Sequence, residues 1–199
     1  KKGVISPLDK KDPKAADYKS IYEGQYNDIG ELITSSRTVT DNKADKYLQS
    51  LVQKIISAND ELKSLQLRVM FTRDWWPNAY SVGDGTIAFN AGLFIYIDNE
   101  AEMVFVLSHE LAHYFLDHSN KTIVKHVETV NSEAFKAEIR KLSKEEFMVN
   151  EKMSKLAKTM IFDNRRHNRD NEAEADRYAY RFMKKTGYDC NAIKTCLEL

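Results

Sequence analysis

Scarcity says as much about this chain as abundance does. Of 199 residues, two are cysteine, three proline and seven glycine. Cys190 and Cys196 lie six apart and neither sits in a Cys-x-x-Cys pair, so both are expected as free or core thiols. So little glycine and proline beside 30% charged residues points to a helix-rich, ordered protein. Net charge is missing too: thirty Lys and Arg balance thirty Asp and Glu, which removes the basic footprint of a nucleic-acid binder and leaves no acidic tail. Apolar runs such as Met103–Leu107 fall far short of the roughly 18 to 20 residues that span a bilayer, so no membrane span is expected. The sequence opens Lys1-Lys2-Gly3 with neither methionine nor an apolar signal core, and an upstream segment is expected to have been removed.

What is present fits one domain. At 42% hydrophobic content the chain can bury one good core, and no shift in composition asks for a second. Asp12-Pro13 opens a helix expected to run to about Ile33, and Asp41 can cap another in which Leu48, Leu51, Val52, Ile55 and Ile56 recur at helical spacing. Residues 1–60 are expected to form an N-terminal helical scaffold. Leu67, Val69 and Phe71 alternate with Gln66, Arg68 and Met70, as in a strand with one better-buried face. A loop holding Trp75 and Trp76 follows, with both rings expected in core or rim packing. Gly83-Asp84-Gly85 then marks a turn between two short extended stretches, a hairpin. Helical patterning resumes near Asn99 and dominates to the end, with the charged stretch 121–163 carrying His126 on a solvated face. A small early sheet followed by helices gives an α+β fold with its core in residues 66–199.

Within the helical part, His109-Glu110-Leu-Ala-His113 places two imidazoles four residues apart. On a helix such residues share a face, about 5 to 6 Å apart, and could grip one cation. Ala101, Val104, Phe105, Ser108, Leu111 and Ala112 mark the apolar arc, so this helix is largely buried and its histidines need partners. Two satisfied core histidines are the plainer alternative. A catalytic zinc takes three protein ligands and leaves one position open, so a further donor is required downstream. The metzincin solution fails, because Leu116 and Ser119 stand where glycine and histidine are needed, and His118 falls at another offset. The carboxylates to consider are Glu133, Glu172 and Glu174. On a helical wheel Glu172 and Asp176 share the stripe of Ala175, Ala179, Phe182 and Met183, whereas Glu174 faces Arg177 and Arg181 and can form solvated pairs. Buried carboxylates demand a cation or strong hydrogen bonds. Glu172 is therefore expected as third ligand, with Asp176 orienting a ligand histidine; the alternative is an exposed helix with both carboxylates in water.

Taken together, the His109 motif, Glu172-x-Glu-Ala-Asp176, Asn78-Ala79-Tyr80, Gly83-Asp84-Gly85 and Gly92-Leu93 make the chain resemble the HtpX and CAAX-prenyl-protease family of gluzincin zinc metallopeptidases. A late Gly187-Tyr188-Asp189 is similar as well, although Cys190 stands where proline is common. The likeness covers roughly Asn78 to Leu199. It implies a helix-rich zincin-like fold and an endopeptidase cleaving unfolded or extended protein or peptide substrates. One Zn2+ per chain would be held by His109, His113 and Glu172, with Glu110 as general base. Tyr178, Arg181 and His167 are candidates for a second oxyanion donor. Asn78 with Thr86, Ile87, Ala88 and Phe89 is expected to supply a strand edge for a substrate backbone. The likeness is to the soluble branch, which implies a periplasmic or otherwise extracytoplasmic location, a cytoplasmic one being the alternative. The competing function is a non-catalytic zinc-binding interaction or regulatory domain, which has no need of a base at Glu110; a metal-free helical protein is a third reading.

Overall fold

Asn99 starts the helix that carries the two histidines. Its side chain accepts from the Glu102 N–H, satisfying one of the amides left unpaired at a helix start, and α3 then runs Glu100–Phe115. The computed structural model describes residues 12–39, 43–144 and 149–197. In chain order it contains α1 (Pro13–Thr34), β1 (Thr38–Val39), α2 (Lys43–Ala58), β2 (Arg68–Thr72), β3 (Ala79–Ser81), β4 (Thr86–Asn90), α3, α4 (His118–Asn131), α5 (Glu133–Leu142), α6 (Val149–Thr186) and α7 (Ala192–Leu197), with short 3-10 turns at Asp60–Leu62 and Ala91–Ile95. The fold is α+β and helix-rich, a zincin-like domain with a small sheet. Asp41, expected to cap α2, lies outside the described residues.

The chain divides into two compact units. One comprises Gln25–Ser119 and Ala173–Leu199. Its sheet has the order β1-β2-β4-β3, with β2 and β4 parallel and β3 and β4 an antiparallel hairpin. Gly83 and Gly85 both take positive φ in the turn, and a Cβ on Gly85 would stand 2.2 Å from the Gln66 carbonyl oxygen, so only glycine fits there. The core joins Leu48, Leu51 and Ile55 of α2, Ile87 and Phe89 of β4, Leu107 and Leu111 of α3, and Phe182 and Met183 of α6. Each such side chain contributes about 1.5 to 3 kcal/mol by leaving water.

Three expectations change here. β2 is buried on both faces rather than one: Val69, Met70 and Thr72 are all inside. The strand Thr86–Asn90 offers no edge, since β4 is hydrogen-bonded on both sides and all five of its residues are buried. The edge strand next to it is β3, preceded by exposed Asn78. Trp75 and Trp76 stand out in solvent, 78% and 63% exposed, rather than in the core.

The other unit comprises the described residues of Lys1–Gly24 together with Asn120–Glu172. Its small core is Tyr18, Tyr22, Ile123 and Val127, the two tyrosine rings stacking at 6.2 Å. Lys14 pairs with Glu128 at 2.8 Å, Asn131 donates to Asp17 at 2.6 Å, and Ser132 caps α5 by accepting from the Phe135 N–H. His126 is exposed, as expected.

Candidate metal centre

Four-residue spacing on α3 brings His109 and His113 onto one side, ring centroids 4.7 Å apart, with their Nε2 atoms 3.0 Å from each other. One ligand atom from each, with one carboxylate oxygen of Glu172, form a group whose members all lie within 4.8 Å of one another. This is the trio singled out by the sequence. Asp176, one turn after Glu172, places Oδ1 2.9 Å from His109 Nδ1. The wheel overstated the burial of both carboxylates. Ala175, Ala179, Phe182 and Met183 are fully buried, whereas Glu172 is exposed and the Asp176 side chain is 42% exposed, so the carboxylates occupy the margin of the stripe. Water at that margin lowers the cost of keeping them charged.

Glu110 projects toward the sheet. The ladder bonds Asn90 N–H to Asn78 C=O and Val82 N–H to Thr86 C=O turn the Ser81 N–H to the outer side of β3, and there it donates to Glu110 Oε2 at 2.8 Å. The neighbouring Tyr80 is half-buried, and burial pushes its phenol up.

Three groups stand in places the sequence did not assign them. Ser81 acts through its backbone, which no residue pattern announces. His118, buried to 3%, has Nδ1 3.0 Å from His113 Nδ1 and Nε2 3.1 Å from Glu174 Oε2. Glu174 thus pairs with a buried imidazole, where the wheel had given it to Arg177 and Arg181. Arg181 instead donates to Glu61 at 2.7 Å and lies over the Tyr178 ring at 4.6 Å, and that ring packs on Phe115 and Phe182. Tyr178 and Arg181, two of the oxyanion candidates, are therefore occupied in packing and pairing. The third, His167, is a half-buried residue of α6. Cys190 and Cys196 are free, as expected, and burial pushes the Cys196 thiol up to about 11.

Comparison with known proteins agrees with the motifs. The chain is 24% identical over 183 residues to the putative beta-barrel assembly-enhancing protease of Vibrio cholerae, a stretch covering 89% of this chain and 36% of that protein. To the beta-barrel assembly-enhancing protease of Escherichia coli K12 it is 24% identical over 176 residues, 85% of this chain and 35% of that one. It therefore spans about a third of the length of the curated relatives it matches. The model of Peptidase family M48 matches residues 42–197, which takes in α2, the sheet, α3 and the Glu172–Asp176 segment. The chain belongs to peptidase family M48.

Proposed function

We propose that the chain is a zinc-dependent endopeptidase that cleaves unfolded or extended protein chains, with one Zn2+ held by His109, His113 and Glu172. The observation that carries this reading is the 3.0 Å between the two Nε2 atoms. An ionised carboxylate only accepts hydrogen bonds, so Asp176 takes its bond from His109 Nδ1–H and leaves a lone pair on Nε2. With Glu174 taking its bond from His118 Nε2–H, a neutral His118 ring accepts at Nδ1 from His113 Nδ1–H, which puts the second lone pair on His113 Nε2. Two lone pairs then face each other at hydrogen-bond distance, an arrangement that a shared cation relieves. Two nitrogens on one tetrahedral zinc would stand about 3.3 Å apart, close to the spacing present. Glu172 adds an anionic oxygen, and two imidazoles with one carboxylate are ligand chemistry typical of catalytic zinc.

Held by His109, His113 and Glu172, a zinc ion would supply Lewis-acid chemistry for peptide hydrolysis near neutral pH. Glu110 would serve as the general base that accepts a water's proton and passes it to the leaving amine. The Ser81 N–H holds one oxygen of Glu110 and so sets the orientation of the carboxylate. Because the base is tethered to β3, an extended substrate laid along that strand would have its backbone beside the proton acceptor. The strand Thr86–Asn90 serves as the support behind it. Residues 1–199 are read as one metallopeptidase domain, with 1–60 as scaffold. Relatives named for β-barrel assembly, an outer-membrane process, favour an extracytoplasmic location.

The test is zinc content beside cleavage of an unfolded protein, for the wild type and Glu110→Gln. One zinc per chain and chelator-sensitive cleavage are expected in the wild type. The variant should keep the zinc and lose about 10²- to 10⁴-fold in rate. A zinc-free wild type, or a variant as fast as the wild type, would sink the reading.

A further inference from the structure

We propose that His118 and Glu174 form a positioning pair for His113, fixing which ring nitrogen it presents to the metal. The inference rests on the zinc reading above and extends it to residues outside the ligand trio.

On an uninterrupted helix, residues five apart point about 140° away from each other at roughly 100° per residue, and His118 could not meet His113. The helix is interrupted. Leu116 N–H bonds back to Ala112 C=O and Asp117 N–H to Tyr114 C=O, closing α3, and Asp117 takes a left-handed φ of 57° before α4 begins at His118. Aspartate is one of the few non-glycine residues that tolerates this conformation. The reversal brings the His118 ring, centroid 5.0 Å from that of His113, against the side of His113 facing away from His109.

A buried imidazole is costly unless its polar atoms are partnered, and both nitrogens of His118 are: Nε2 meets Glu174, which as a carboxylate accepts, and Nδ1 meets His113 Nδ1, from which a neutral His118 ring accepts. Glu174, its side chain 37% exposed, keeps contact with water, so the charge that anchors the series is not stranded in the core. The two histidines are thus served differently. A carboxylate meets His109 directly, whereas His113 is reached through an intervening imidazole, and the two carboxylates concerned, Asp176 and Glu174, stand two residues apart on α6. Removing His118 leaves His113 free to rotate or change tautomer, and loss of such an orienting partner typically weakens metal binding about 10- to 100-fold.

Zinc affinity, measured by chelator competition and scaled to the folded fraction found by circular dichroism, tests the proposal in the wild type and three variants. His118→Phe fills the space with no acceptor for His113 and should bind zinc about 10- to 100-fold more weakly. His118→Asn puts an oxygen near the position of Nδ1 and should recover most of that loss. Glu174→Gln, at a half-exposed position and not expected to prevent folding, should fall between the two. Affinity of folded His118→Phe within about twofold of wild type, or no recovery in His118→Asn, would overturn the positioning role. A wild type without zinc would overturn the metal reading instead.

Discussion

The two ends of α3 treat a glutamate in opposite ways. Near the start, Glu102 is 2% exposed and surrounded by the chain's own donors: the Asp98 N–H at 2.8 Å, the Asn99 side-chain amide at 3.0 Å and the Thr195 hydroxyl at 2.6 Å. The Thr195 hydroxyl does most to hold its carboxyl below the ordinary value of 4.5, against the opposing effect of burial, with help from Asp98 and Asn99. Two turns later Glu110 has an oxygen fixed by the Ser81 N–H, and His109 and His113 aim their Nε2 atoms at each other. A structural carboxylate is recognised by donors that converge on it. A metal site is recognised by acceptors that converge on one another.

That contrast breaks most sharply at Glu172. Glu172→Ala should cost at least 100-fold in zinc affinity, and cleavage with it, yet leave the zinc-free protein within about 0.5 kcal/mol in urea unfolding, because the residue is exposed. A large loss of metal-free stability with zinc retained would put Glu172 in the class of Glu102. The reverse experiment is Glu102→Gln, whose amide would turn N–H groups against existing donors. It should destabilise the zinc-free protein by about 1 to 3 kcal/mol and leave zinc stoichiometry unchanged.

The smallest effect is in acid. Because the folded pKa of Glu102 lies below its unfolded value, its contribution is complete above the unfolded value and fades as pH falls through the folded one. The stability gap between wild type and Glu102→Gln should therefore be constant near neutrality and narrow once pH drops below about 4.5. Urea midpoints at several pH values follow it. A gap that widened in acid would reverse the assigned sign.

Local patterns were legible in the sequence, and non-local ones were not. The helix with two histidines, the glycine turn and the Glu172–Asp176 segment all show within a dozen residues, because helix periodicity and turn chemistry are local. The interior place of Thr86–Asn90 depends on parallel pairing with Arg68–Thr72, which no window of adjacent residues reveals. His118 was hidden because a wheel assumes an unbroken helix, and Asp117 breaks it. Glu174 was misassigned because the wheel weighs only neighbours on its own helix, whereas His118 comes from 56 positions away and Arg181 is taken by Glu61.

The outer rim of the sheet beside Glu110 is only three residues long, Ala79–Ser81, and one of its amides already holds that glutamate. A guest strand could form two or three main-chain bonds there, each worth about 0.5 to 1.5 kcal/mol net. Contacts of that size correspond to about millimolar binding at best. Chains gripped by this rim alone would come and go quickly, so tight capture would have to come from side-chain contacts elsewhere, and sequence preference would be set there as well.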